Sequence, residues 1–321
     1  MTKFTKPFPK ISKKDVAIAG GKGASLGEMT NAKIPVPKGF VILAEAFDHF
    51  LNETPKSPVA QTDLEVDALL AKVNFDDTNS IDKASNVIRD IMHDTKMPKA
   101  LAQEIAAEFK KLKTKYVAVR SSATAEDSSI ASWAGELETY LHTTEKTLLD
   151  KVKHCWSSLY TPRAIFYRYE KKLIDQQVSV AVVVQEMVES EISGVAFTVH
   201  PVTKAKNQMI IEAGFGLGEA IVSGQITPDS YIVDKTDLSI LDINVAEQKR
   251  MLVRKSQAGG IVWKPVAKAK QESQVLSGKQ IIELSKICIN IEKHYKCPQD
   301  IEWAYTKGKF YITQSRPITT L

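Results

Sequence analysis

Residues 300–316 run Asp300-Ile301-Glu302-Trp303-Ala304-Tyr305-Thr306-Lys307-Gly308-Lys309-Phe310-Tyr311-Ile312-Thr313-Gln314-Ser315-Arg316. Polar and apolar residues alternate on both sides of Lys307-Gly308, which predicts a β-hairpin. Asp300, Glu302 and Ala304 then share one face of the first strand, and Ile312, Gln314 and Arg316 share one face of the second. Loop length decides which of them meet. A two-residue loop pairs Thr306 with Lys309 and puts Glu302 and Gln314 on opposite faces. A three-residue loop, Lys307-Gly308-Lys309 with the glycine at positive φ, pairs Thr306 with Phe310 and sets Glu302 opposite Gln314. In that register a carboxylate and an amide oxygen stand side by side, hard donors suited to Mg²⁺ holding nucleotide phosphates. Arg316 beside them suits neutralising phosphate charge.

Working back from the hairpin, an amphipathic helix is predicted over Gly278–Tyr295, with Ile281, Ile282, Leu284, Ile287, Cys288 and Ile291 on its apolar side. Before it the period is two: Val180–Glu186, Gly194–Val199, Gln208–Ala213, Ser230–Asp234, Ser239–Val245, Met251–Arg254 and Ile261–Lys264 are candidate strands. Upstream of Val178 the pattern turns mostly helical. Apolar positions recur at three and four residues through Ile81, Val87, Ile88 and Ile91 and then Leu101, Ile105 and Phe109, and strands are expected only at Phe40–Leu43 and Tyr116–Arg120. The class is α+β, with a helix-rich lobe over 1–178, a strand-rich lobe over 179–321, and a cleft between lobes as the default ligand site.

The composition fits two such lobes. The chain has 321 residues, 43% hydrophobic and 25% charged, with 43 Lys+Arg against 38 Asp+Glu. That is enough to bury a core without staples, and it excludes disorder or a small secreted scaffold as the description of the whole. A net charge of +5 is too weak and too scattered for a nucleic-acid stripe. Cys155, Cys288 and Cys297 form no C-x-x-C pair and are expected as reduced thiols. The most apolar local run, Val180–Val184, is far too short to cross a bilayer, and no secretory leader is visible, so a cytoplasmic protein is expected.

Two polar stretches add chemistry. Gly20-Gly21-Lys22-Gly23 fails the Walker A spacing but predicts a glycine turn opening a helix over Ala24–Ala32, with an ammonium at its start. Such a helix N-terminus suits phosphate. Val119-Arg120-Ser121-Ser122-Ala123-Thr124 delivers a planar guanidinium into a run of small residues that let a backbone approach an anion. By contrast Gly214-Phe215-Gly216-Leu217-Gly218 lacks the dinucleotide spacing. Of the histidines, only His200 falls in a loop placed to face the expected site.

Taken together, these stretches resemble the ATP-binding module of the phosphoenolpyruvate synthase (pyruvate, water dikinase) and pyruvate, phosphate dikinase family, a module also carried by rifamycin phosphotransferases. Besides the Gly20–Met29 and Val119–Asp127 runs, the resemblance rests on Gln185-Glu186-Met187-Val188, Ser193-Gly194-Val195-Ala196-Phe197-Thr198, Gly216-Leu217-Gly218-Glu219, Asp300-Ile301-Glu302-Trp303 and Gln314-Ser315-Arg316-Pro317. It covers nearly the whole chain in order.

The resemblance implies a two-lobed ATP-grasp-like fold that binds ATP and Mg²⁺. By position Lys22 and Arg120 would hold phosphates, with Gly135 and Thr139 over them on a mobile loop. Gln185 would contact the adenine, Glu302 and Gln314 would ligate Mg²⁺, and Arg316 would lie on the phosphates. In the dikinases the βγ-diphosphate passes to a histidine on a swivelling domain and then in part to pyruvate on a third domain. Neither the Thr-Ser-His motif of that swivelling domain nor the pyruvate-binding barrel has a counterpart here. Both are expected in another chain or a missing segment. A rifamycin-type phosphotransferase module and a non-catalytic nucleotide-binding regulator are the alternatives. Glu136 stands where the family has glutamine in A-G-Q-x-x-T; a carboxylate aimed at the phosphates there would repel them.

Overall fold

The computed structural model describes residues 3–52, 62–124, 138–174, 178–255 and 260–319. The chain divides into two compact units: Met1–Gly27 with Lys38–Glu186, and Glu28–Pro37 with Met187–Leu321.

The first unit is built on a five-stranded sheet in the order β1-β2-β5-β3-β4, antiparallel throughout. Its strands are β1 (Thr5–Pro7), β2 (Gly39–Ile42), β3 (Val117–Ala123), β4 (Thr139–Thr143) and β5 (Val180–Glu186). The five-residue run Val180–Val184 is completely buried because β5 is central and covered on both faces. Helices α1 (Val16–Asn31), α2 (Ala44–Asn52), α3 (Thr62–Leu70), α4 (Thr78–Asp94), α5 (Lys99–Leu112), α6 (Leu148–Ser157) and α7 (Pro162–Glu170) lie around the sheet in sequence. Asp77 caps α4 by accepting from the Asn79 amide at 3.0 Å, and Thr161 caps α7 through the Ala164 amide at 3.2 Å ahead of Pro162. One face of the sheet, with Val117, Val119, Val180, Val182 and Val184, packs into a core with Phe47, Phe50 and Trp156. The Phe50 and Trp156 rings lie 5.0 Å apart.

α1 lies on the other face. It starts at Val16, earlier than expected, and the glycine run falls inside it with a single break at Gly20 (φ +67°, ψ 171°). Here the glycines permit close packing rather than a loose turn. A Cβ at Gly20 would sit 2.3 Å from the Ser122 carbonyl oxygen, and one at Gly23 would sit 3.0 Å from Val41. β1, β4 and α3 had no expected counterpart.

The second unit carries a six-stranded sheet in the order β13-β12-β6-β7-β8-β9. Its strands are β6 (Ile192–Phe197), β7 (Gln208–Phe215), β8 (Asp229–Asp234), β9 (Ile240–Asn244), β12 (Gln299–Thr306) and β13 (Lys309–Pro317). The one-turn helix α8 (Glu219–Val222) and a separate ribbon of β10 (Arg250–Arg254) and β11 (Ile261–Pro265) lie between β7 and α9 (Gly278–Tyr295) in sequence. α9 starts in a capping box: Ser277 Oγ accepts from the Gln280 amide at 3.4 Å, and Gln280 Oε1 accepts from the Ser277 amide at 2.9 Å. It packs along β12 with Ile281, Leu284, Cys288 and Ile291 buried. The strands alternate cleanly. Ile301, Ala196, Ile211 and Tyr231 form one buried cross-strand row, while Glu302, Val195, Glu212 and Ser230 form the partly exposed row on the opposite face.

Gly216 (φ +82°) ties the ribbon to this unit. Its backbone meets Leu252, and its carbonyl accepts from the hydroxyls of Ser190 and Ser193 at 2.9 and 2.6 Å. The glycine-rich Gly214–Gly218 segment is therefore a packing junction. All three cysteines are free thiols. Among the described residues no helix is long and apolar enough to cross a membrane.

Candidate functional site

In the first unit the expected residues gather on the α1 face of the sheet. Arg120 stands opposite Thr139 on β4 and Val183 on β5, and Gln185 stands opposite Ala118. Strand alternation therefore puts Arg120, Ser122, Thr139 and Gln185 on one face. Ser122 binds the glycine break to this face. Its buried hydroxyl donates to the Ala19 carbonyl at 3.0 Å and accepts from the Gly23 amide at 3.3 Å, filling the gap that Gly20 opens in the helix ladder. The contact brings the beginning of the resumed helix, with half-buried Lys22, to the strand that carries Arg120.

Gln185 is 2% exposed, and its amide nitrogen has no hydrogen-bond partner among the described residues. A buried amide donor left unsatisfied costs about 1–3 kcal/mol, so the position is chemically suited to an acceptor such as an adenine ring nitrogen. Gly135 and Glu136 lie outside the described residues.

In the second unit the hairpin brings Glu302 and Gln314 together, though not by the three-residue loop. Lys307 (φ 50°) and Gly308 (φ 75°) form a two-residue turn, and Thr306 pairs with Lys309. That register holds as far as Trp303 opposite Ile312 and then shifts by one residue at a β-bulge, so Glu302 stands opposite Gln314. The extra residue is Thr313. The same bulge corrects a second expectation: Ile312 joins buried Trp303, on the face opposite Gln314 and Arg316.

Asp300, in the next row, takes the Arg316 guanidinium on one carboxylate oxygen, at 2.9 Å from Nε and 2.7 Å from Nη2. The planar fork is thus held in place beside Gln314. Burial pushes the Asp300 carboxyl up and the Glu302 charge adds to this, while Arg316 pulls it back. Burial also raises Glu212, two strands over in the Glu302 row, with a contribution from the Asp300 charge. The face therefore concentrates negative charge in partly desolvated positions, an environment that favours a cation. Asp300's grip on Arg316 escaped the sequence reading, although the pair's cross-strand spacing would have signalled it.

His200 Nδ1 accepts from the amides of Val202 and Thr203 at 3.3 and 3.2 Å, which closes its own turn, and His294 Nε2 bonds Glu28 at 2.8 Å.

The chain is 44% identical to a phosphoenolpyruvate synthase of Pyrococcus furiosus over 99% of its own length and 44% of that protein's. A probable phosphoenolpyruvate synthase of Archaeoglobus fulgidus is 48% identical over 97% of the chain and 41% of the relative. A rifampicin phosphotransferase of Bacillus cereus is 37% identical over the full chain and 36% of the relative. The chain thus spans less than half the length of these curated relatives. The family model described as pyruvate phosphate dikinase, AMP/ATP-binding domain, matches residues 16–321, and the chain belongs to that family.

Proposed function

We propose that this chain is the ATP-binding, diphosphoryl-donating module of a phosphoenolpyruvate synthase-type phosphotransferase. The observation that carries this reading is the bulge at Thr313, which restores the Glu302–Gln314 pairing that a two-residue turn would otherwise prevent. Bulges recur next to active sites, where they re-aim a side chain.

In this reading Lys22 and Arg120 hold the phosphates of ATP. Thr139, opposite Arg120, and Gly135 act on the same phosphates. Gln185 gives its unpartnered amide hydrogens to the adenine. Glu302 and Gln314 would ligate Mg²⁺ through their oxygens; when bound, the ion neutralises phosphate charge and fixes the chain of phosphates. Arg316, oriented by Asp300, adds a positive fork. These residues perform no covalent chemistry; they position and neutralise, as phosphoryl transfer requires. The βγ-diphosphate passes to a histidine on a domain outside these residues, leaving AMP; water then takes one phosphoryl group, released as phosphate, and pyruvate accepts the other. The higher identity to the synthases than to the rifampicin enzyme favours pyruvate over an antibiotic.

The test is to mix the chain with ATP, Mg²⁺ and a separately produced histidine-bearing swivel domain of a synthase. AMP and phosphohistidine should form together. Nucleotide binding without AMP formation, with any such partner, would leave a binding protein and refute the donor role.

A further inference from the structure

The back of the first unit's sheet, turned away from Arg120 and Thr139, holds a polar knot against the apolar core. At its centre is Glu138, the residue before β4. Its carboxylate takes Arg89 Nη2 of α4 on one oxygen at 2.9 Å and the Tyr140 hydroxyl on the other. Its carbonyl accepts from the amide and the hydroxyl of Ser121 at 3.2 and 2.9 Å. Ser121 directly follows Arg120, and Thr139 directly follows Glu138. Strand alternation sends Glu138, Tyr140 and Ser121 to the back and Arg120 and Thr139 to the front.

β4 needs such an anchor. Among the described residues it is the edge strand of its sheet and pairs only with β3. Its regular register there consists of two pairs, Arg120 with Thr139 and Val119 with Tyr140, before the ladder shifts near His142 (φ 53°). A slip of one residue would turn Thr139 to the back.

We propose that Glu138 is a positioning residue for phosphate binding: by pinning the start of β4 to α4 from behind, it holds Thr139 opposite Arg120 on the front. This rests on Arg120 and Thr139 being phosphate-facing, as proposed above. Charge-assisted bonds to both carboxylate oxygens make the anchor directional, and small displacements of phosphate-binding groups are costly.

The test uses the full chain with Glu138→Gln, Arg89→Met, the double variant and Tyr140→Phe, titrated with Mg·ATP and, by competition, with adenosine. Glu138→Gln and Arg89→Met should each weaken ATP about tenfold while adenosine stays within about twofold, because only the phosphate contacts move. The double variant should be no worse than the weaker-binding single, since both break one anchor. If Glu138→Gln does not fold, Tyr140→Phe, which deletes one hydroxyl, reads the same ATP-to-adenosine ratio with a smaller loss. Unchanged ATP affinity in the folded variants, or a loss falling equally on adenosine, overturns the proposal. Arg120→Ala, run in parallel, separates the two readings. If it too leaves ATP binding unchanged, the phosphate site itself is wrong; if it weakens ATP while Glu138→Gln does not, only the positioning role falls.

Discussion

Single atoms decide the geometry at Ser122. Its hydroxyl replaces the helix bonds that Gly20 interrupts, so Ser122→Ala should cost about 1–3 kcal/mol by leaving buried backbone groups unmatched. Thermal or denaturant melts of the two proteins would show it, and an unchanged melt would remove the clamp from the account. Glu212 works in the opposite direction. Burial raises its folded-state pKa above the ordinary glutamate value of 4.5, so its ionised form burdens the fold once pH exceeds that value. Glu212→Gln should therefore stabilise the chain at neutral pH, with the gain fading as pH falls toward 4.5 and absent below it. A pH-independent gain would mean that its charge is not the cause. At this scale residue type and local spacing suffice to single out Lys22 and Arg120 as candidates. They are silent on Glu138, whose meaning comes from Arg89, 49 positions away.

Elements show where local pattern stops being enough. The helix over Gly278–Tyr295 and the strand over Val180–Glu186 were legible to the residue, because a long amphipathic period and an unbroken valine run leave little choice. The hairpin was legible as a hairpin, but its bulge was not. Thr313 is as strand-compatible as its neighbours, and only pairing with β12 reveals it as the extra residue. β1 and β4 have three and five residues, too few for a period to emerge. The α4–α6 seam carries its own prediction. The His93 and His154 rings lie 4.0 Å apart, and His93 Nε2 bonds Ser157 Oγ at 2.8 Å. Burial lowers both pKa values, and like or neighbouring positive charges (His154 on His93, Lys151 on His154) add to this. The unfolded chain thus binds protons that the folded one resists. Stability should fall as pH drops through the ordinary histidine value of 6.5, and His93→Gln should flatten that slope in melts at pH 5.5–7.5. A slope unaffected by the substitution would place the protons elsewhere.

For the whole molecule, the α+β class and the family membership were visible because several long motifs occur in one order. The sheet under the helix-rich stretch was much harder to see. Its five strands are short, dispersed from Thr5 to Glu186, and separated by helices whose period dominates the reading. Each unit presents its candidate residues on one sheet face: Arg120, Thr139 and Gln185 in the first, Glu302, Gln314 and Arg316 in the second. The proposal that each set takes part in binding Mg·ATP is met most directly by calorimetric titration of Mg·ATP into the wild-type chain, Arg120→Ala and Glu302→Ala. The account predicts saturable binding to the wild type, weakened about tenfold or more in each variant with the melting temperature retained. Binding that is absent from the wild type, or equally tight in both variants, would contradict it.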